Sequence, residues 1–393
     1  MTPVELSRTV LRAVRRAVED GELAVAVPER ALVTVPGAGG CGDYATNIAL
    51  QLARPAGETP RRVAELLRPH LVEVPGVSGV EITGPGFLNI SLGSTVSTLL
   101  VEEILRRGPR YGFIDDALAG DRHAPVAHSV RLYAPREPRA LVVMDVVARL
   151  LRSQGVLVRT SCEGLPEPEW AAVLGIGIGD IDAYGSRPEA PVPPEAEAEA
   201  EAEADVEADT NAVVDVDDDV HVVVRPIPAP DPAALLPLGL DAARWALLHP
   251  AAHDRPRLTA DHLVQRETNP LFRVRYAYAR TRAVSRNAAD LGLTAQPGAV
   301  GEDVQGDTTP LTPLLADHPR VLARAATHHA PDLLARHLVA VADAALPLLA
   351  VTLPLGDEKP LAAHRARLAL AEAAGAVLAG GLSLLGIDAP QHL

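Results

Sequence analysis

The chain has 393 residues and a formal net charge of -15 at pH 7, from 36 Lys+Arg against 51 Asp+Glu. All but one of those cations are arginines, and Lys359 is the single lysine. That excludes a phosphate-binding Gly-Lys loop, a Schiff-base lysine in the first two thirds and a lysine-rich nucleotide-closing loop. The acidic balance at first sight opposes nonspecific coating of nucleic acid. Apolar residues make up 48% and aromatics 3% of the chain, so its cores are built from Ala, Val and Leu rather than from rings. Cys41 and Cys162 form no metal-ligand spacing, and a reduced, cytoplasmic compartment is expected. Thr2 to Asp20 mixes arginines and glutamates at helical spacing, unlike a signal segment.

In chain order, residues 1–115 alternate helical and strand patterns and read as an α+β domain. Helices are expected at Val4–Val18, Ala45–Ala53, Pro60–Leu71 and Thr95–Arg107. Strands are expected at Ala31–Val35, Val80–Ile82 and Phe87–Leu92, the last two around Gly84-Pro85-Gly86. Residues 125–188 give strand Ser129–Tyr133, helix Pro138–Ser153 and strand Val156–Thr160, one α/β unit of parallel sheet. Residues 189–219 are an acidic low-complexity segment expected to be disordered. They hold 13 acids and no Lys or Arg; removing them leaves 38 acids against 36 cations. Residues 235–393 read as an all-α helical bundle. Its apolar stretch Leu338–Pro354 is broken by Asp343 and Pro347 and reads as a buried helix, so no membrane is expected.

Gly37-Ala38-Gly39-Gly40-Cys41-Gly42 fits GxGxxG formally, but a helical pattern follows where a dinucleotide site needs a second strand. The segment from Gly42-Asp43-Tyr44-Ala45-Thr46-Asn47 onward, with Gly84-Pro85-Gly86-Phe87-Leu88-Asn89, resembles the N-terminal additional domain of arginyl-tRNA synthetases. The resemblance implies a face for the tRNA elbow, with the motif's aromatic and asparagine near a D-loop base. Tyr44 is then expected to stack on a splayed base and Asn47 to read its edge. The plainer alternative is that both cap and pack the helix start.

The C-terminal third resembles the same family. Asp241-Ala242-Ala243-Arg244 looks like the segment that names its anticodon-binding domain, and Asn269-Pro270-Leu271-Phe272 looks like its Asn-Pro-aromatic helix. From Phe272 to Arg286 that helix contains no acid. Arg273, Arg275, Arg280 and Arg282 stand among Tyr276 and Tyr278, a combination suited to phosphates and stacked bases. A core role for the rings and a solvated face for the arginines is the competing reading. The family's usual glutamine and histidine are Arg275 and Tyr278 here.

The resemblance also implies an ATP-dependent nucleotide-binding fold, of which residues 125–188 read as a degenerate Rossmann-like remnant. No His-x-Gly-His occurs among the 13 histidines, and the lysine loop is excluded because Lys359 lies in the bundle. Arg136 and His128 are weak substitutes. No catalytic residue is assigned, and no metal is expected, since His328, His329 and His337 have no ligand carboxylate at a shared helical spacing. The expectation is a tRNA-binding pseudoenzyme with no cofactor. The alternatives are an arginine–tRNA ligase using ATP, and an accessory module for a functional synthetase.

Overall fold

In α1 (Pro3–Glu19) the residues Leu6, Val10, Ala13, Val14 and Ala17 recur at helical spacing, and all are buried. They pack over a four-stranded antiparallel sheet of β1 (Val33–Thr34), β2 (Tyr44–Thr46), β3 (Val77–Thr83) and β4 (Phe87–Leu92), in the order β1-β2-β4-β3. Two more helices complete this core, α2 (Ile48–Ala56) and α3 (Pro60–Val72). Thr59 caps α3 by accepting from the Arg62 N–H, with Pro60 in the first turn. This computed structural model describes residues 3–34, 36, 41–114, 129–164, 166–176, 181, 183–184, 212–214, 220–300, 311–356, 358–359 and 361–393.

The helix expected over Ala45–Ala53 begins only at Ile48, because residues 44–46 pair with β4 instead. Gly42 makes that pairing possible. Its φ is +77°, and a Cβ there would sit 2.9 Å from the Ile90 carbonyl oxygen. The Asp43 carboxylate then accepts from the Leu92 N–H at 2.7 Å. Asp43 and its glycine therefore tie strand to strand.

α4 (Ser94–Arg107) leaves this domain. Its Leu100, Val101 and Ile104, with Tyr111 beyond it, join the larger core of the rest of the chain.

The second sheet holds β5 (Val130–Ala134), β6 (Val158–Cys162), β7 (Ala183–Tyr184), β8 (Ala212–Val214) and β9 (Val220–Val223), in the order β7-β6-β5-β9-β8. All pairings are parallel except β8 with β9. α5 (Pro138–Ser153) crosses from β5 to β6, and α6 (Pro168–Leu174) follows β6. The unit is thus larger than one strand-helix-strand crossover. β8 also corrects the reading of residues 189–219 as uniformly disordered: Ala212–Val214 is an apolar run that pairs antiparallel with Val220–Val223. The remainder of that segment, and the Gly37–Gly40 part of the glycine-rich loop, lie outside the described residues.

The bundle comprises α7 (Gly239–Leu248), α8 (Pro270–Asp290), α9 (Leu311–Thr327), α10 (Pro331–Ala350) and α11 (Ala362–Leu385). α10 and α11 are long and apolar enough to cross a membrane by length and composition, but most of each is buried inside the bundle. Two buried arginines fasten the α/β unit to it. Arg139 on α5 donates to five carbonyls, those of Ile227, Leu247, Pro250, Ala251 and Asp254, at 2.7–3.0 Å. Arg244 on α7 donates to the carbonyls of Leu174 and Leu385 and to the Asp145 carboxylate. Each guanidinium fork is thereby matched to acceptors, as burial of a charge requires.

Candidate nucleic-acid interface

The first sheet has one face against its helices, and the other face is exposed at Glu81 and Phe87 but covered at Ala45 and Asn89. Strand alternation decides which residue lies where. Tyr44 pairs with Ile90, and Ile90 with Val80; all three point into the helix-covered core. Tyr44 is 2% exposed, and burial raises its hydroxyl pKa above the usual value. The expectation that Tyr44 stacks on a base is therefore corrected: its ring is core. Asn47 precedes α2 without capping it through its side chain, and its Oδ1 is buried with no partner among the described residues.

The opposite face carries Ala45, Asn89 and Glu81, which are register neighbours across β2, β4 and β3, and Phe87 paired with Thr83. Phe87 is 40% exposed, while Asn89 is buried and donates through Nδ2 to the Thr83 hydroxyl at 2.7 Å. Phe87 is held up by its turn. Gly86 has φ +147°, and a Cβ there would meet the Pro60 carbonyl at 2.7 Å. The Cys41 thiol donates to Glu81 on the same face at 3.0 Å, and this contact raises the thiol pKa. Phe87, not Tyr44, is the exposed ring of this domain among the described residues.

The second surface is α8. Asn269 caps it: Oδ1 accepts from the Leu271 N–H, while Nδ2 donates to the carbonyls of His262 and Val264. Leu271, Val274, Ala277, Thr281, Val284 and Ala288 form its buried side, and Ala279, between Phe272 and Arg286 around the helix, is buried as well. At 3.6 residues per turn the outer side then has Phe272 and Tyr276 along its middle. Their rings stack with centroids 5.5 Å apart, and Tyr276 is 38% exposed. Arg273 and Arg280 follow one margin; Arg275, Arg282 and Arg286 follow the other. Arg273 pairs with Asp343 at 2.9 Å and Arg275 with Asp241 at 3.2 Å, yet each keeps a buried Nε–H with no partner among the described residues. Arg280 and Arg282 are exposed and make no ion pair among the described residues. Tyr278 is half-buried and packs against the main core. The structure thus brings five of the six residues expected on this helix to its outer side and turns Tyr278 inward.

A third place is the carboxyl end of β5, beside β9, where an open α/β sheet would take a nucleotide. The Glu137 carboxylate fills it. One oxygen accepts from the Ala140 N–H at 2.7 Å and caps α5; the other accepts from the Ala229 N–H at 2.9 Å. Arg136 donates its N–H to Glu163, and its guanidinium lies 3.8 Å from Glu167. His128 lies outside the described residues. A triphosphate at this helix end would meet a carboxylate already using the amides it needs.

His337 stacks on His318, centroids 5.3 Å apart, and His318 on Tyr111 at 6.1 Å. No group of three His, Cys, Asp or Glu side chains among the described residues is placed to hold a metal.

The family described as the arginyl tRNA synthetase N terminal domain matches residues 5–92, and the DALR anticodon binding domain matches residues 274–393. Asp241–Arg244, set above beside the segment that names the domain, lies outside the matched stretch. An arginine–tRNA ligase of Renibacterium salmoninarum is 43% identical over 164 residues, covering 40% of this chain and 30% of that protein. One from Paenarthrobacter aurescens is 41% identical over 161 residues, covering 39% and 29%. Each match spans less than a third of the curated relative's length. The fold is similar to Thermus thermophilus arginyl-tRNA synthetase, with TM-score 0.58, 16% identity and full coverage of both chains. It is similar also to the Plasmodium falciparum arginyl-tRNA synthetase, with TM-score 0.63, 10% identity and coverage of 100% and 99%.

Proposed function

From the premise that the chain belongs to the arginyl-tRNA synthetase family by its N-terminal and anticodon-binding domains, we propose that it binds tRNA in the cytoplasm without charging it. The observation that carries this reading is the outer side of α8. A stacked aromatic pair flanked on both margins by arginines offers rings to unpaired bases and guanidinium forks to phosphates. Phe87, exposed on the sheet face of the other domain away from its helices, provides a second stacking position; Asn89 shares that face but is buried and bonded to Thr83.

The noncatalytic half of the reading is supported by the lone lysine, by the missing His-x-Gly-His and by the Glu137 carboxylate at the α5 N-terminus. The Glu137 carboxylate, which takes the Ala140 and Ala229 amides, supports a reading that does not use ATP. Fluorescence anisotropy with a folded tRNA transcript tests the binding. Wild-type protein binds at low salt, and Arg280→Gln with Arg282→Gln lowers the salt slope by about 2. No binding at low salt overturns the reading. Arginine-dependent ATP–pyrophosphate exchange above background overturns its noncatalytic half and restores the ligase alternative.

A further inference from the structure

In α3, α4, α5, α9 and α10 at least one arginine faces an acid three or four residues away. Arg61 and Arg62 face Glu65 in α3, and Arg106 and Arg107 face Glu103 in α4. Arg149 faces Asp145 in α5, Arg320 faces Asp317 in α9, and Arg336 faces Asp332 in α10. The arginines of α1 have no such partner among the described residues, and they are gathered on one side of the helix.

Arg8, Arg12 and Arg16 repeat every four residues along α1, with Arg15 beside them, and all four are exposed. Together they cover an arc of about 100° on its outer side. Arg8, Arg12 and Arg15 make no ion pair among the described residues, and Arg16 reaches only Glu73 at the end of α3, at 3.8 Å, with both side chains exposed. Glu5 and Glu19 stand at the two ends of the stripe. Like charges four apart destabilise a helix by about 0.2–0.5 kcal/mol a pair, so this ladder opposes the helix that carries it. Arg8 to Arg16 spans about 12 Å, the axial length of three or four phosphates of one strand.

The same helix argues against other occupants. Its apolar side is fully used in the domain core, leaving nothing to insert into a lipid surface. The stripe holds no aromatic anchor of the kind on which protein interfaces depend. We propose that the outer side of α1 is a phosphate-backbone contact surface for duplex RNA, added to the stacking surfaces of Phe87 and α8. This rests on the tRNA-binding reading for its ligand, and its test separates the two.

The variant Arg8→Gln, Arg12→Gln, Arg16→Gln keeps good helix formers and relieves the like-charge ladder, so its melting temperature equals or exceeds that of the wild type. Anisotropy titrations from 50 to 200 mM salt use a folded tRNA transcript and a 16-base-pair RNA duplex. The variant is expected to lower the salt slope by about 3 for both RNAs and to weaken binding at least tenfold at the lower salt. An unchanged slope overturns the proposal. So does a loss confined to phosphatidylserine vesicles. If wild-type protein binds the duplex through α1 but not tRNA, the tRNA reading falls and this inference stands. If it binds neither, both fall.

Discussion

At the scale of single residues, position within a strand or a stack decides chemistry more than residue type does. Tyr44 and Phe87 are both aromatics in resemblance-bearing motifs, and three-residue β2 turns the first inward while the β3–β4 turn lifts the second out. Replacing Phe87 by Ala should therefore weaken tRNA binding by about 1–3 kcal/mol, the usual contribution of one stacked base, and leave the salt slope unchanged. Tyr44→Phe should leave binding unchanged. Equal losses in the two variants, read by anisotropy, would refute the assignment. A second residue-scale consequence concerns pH. His318 and His337 are buried against Tyr111 and each other; Asp317 favours the charge on His337, but it is itself held by Arg320. Burial holds His318 well below the usual imidazole range and brings His337 down to about 4. Unfolded imidazoles take up protons near pH 6.5 and the folded ones do not, so the unfolded state binds more protons below that pH. Stability is complete above pH 6.5 and declines as pH falls toward 4. For His337 alone the loss is on the order of 3 kcal/mol. Urea midpoints measured between pH 7 and 4 should show that decline, and His337→Leu should flatten it.

At the scale of elements, close approach explains residues that propensity disfavours. Gly380 and Gly381 lie inside α11, near its C-terminal end, where alanine would ordinarily stabilise a helix by about 0.5–1 kcal/mol. A Cβ on Gly380 would run into the Pro109 carbonyl beyond α4, and one on Gly381 into the Leu338 side chain of α10. The clash outweighs the propensity, and each alanine variant should destabilise the chain by about 1–3 kcal/mol. A raised melting temperature for Gly380→Ala would refute the packing argument. Nothing in the sequence announces this, because Pro109 is distant along the chain. What the sequence does make legible are long elements with strong period, α1, and those with clear caps besides: α3, α5 and α8 behind Asn269, acid-free from Phe272 to Arg286. The three-residue strands β2 and β8 are illegible for the opposite reason. Thr46 and Asn47 read as a helix start, and Ala212–Val214 is diluted by the aspartates beside it. The candidate site follows the same division: the arginine margins of α8 could be read from composition, whereas the inward turn of Tyr44 required knowing that β2 exists.

At the scale of the whole molecule, the question is where the first domain ends. Composition placed the boundary at residue 115, after α4, because helix and strand patterns run unbroken to that point. Burial places α4 on the other side. Leu6 to Ile90 close one core, whereas Leu100, Val101, Ile104 and Tyr111 are part of a core shared with α5, α9, α10 and α11. Pro109 touches α11 at Gly380, Tyr111 stacks on His318 of α9, and Gly112 packs against Leu322 of α9. Burying an aliphatic or aromatic side chain stabilises by about 1.5–3 kcal/mol, so losing those four removes roughly 6–12 kcal/mol from the larger unit. That is the size of a typical folding free energy. A chain starting at Gly93 should therefore keep cooperative thermal unfolding and the helical circular dichroism of the bundle. One starting at Ile114 should lose the cooperative transition and expose the apolar sides of α9 and α11. If the shorter chain melts as sharply as the longer, α4 belongs to the first domain after all, and the two cores are less dependent on it than their packing implies.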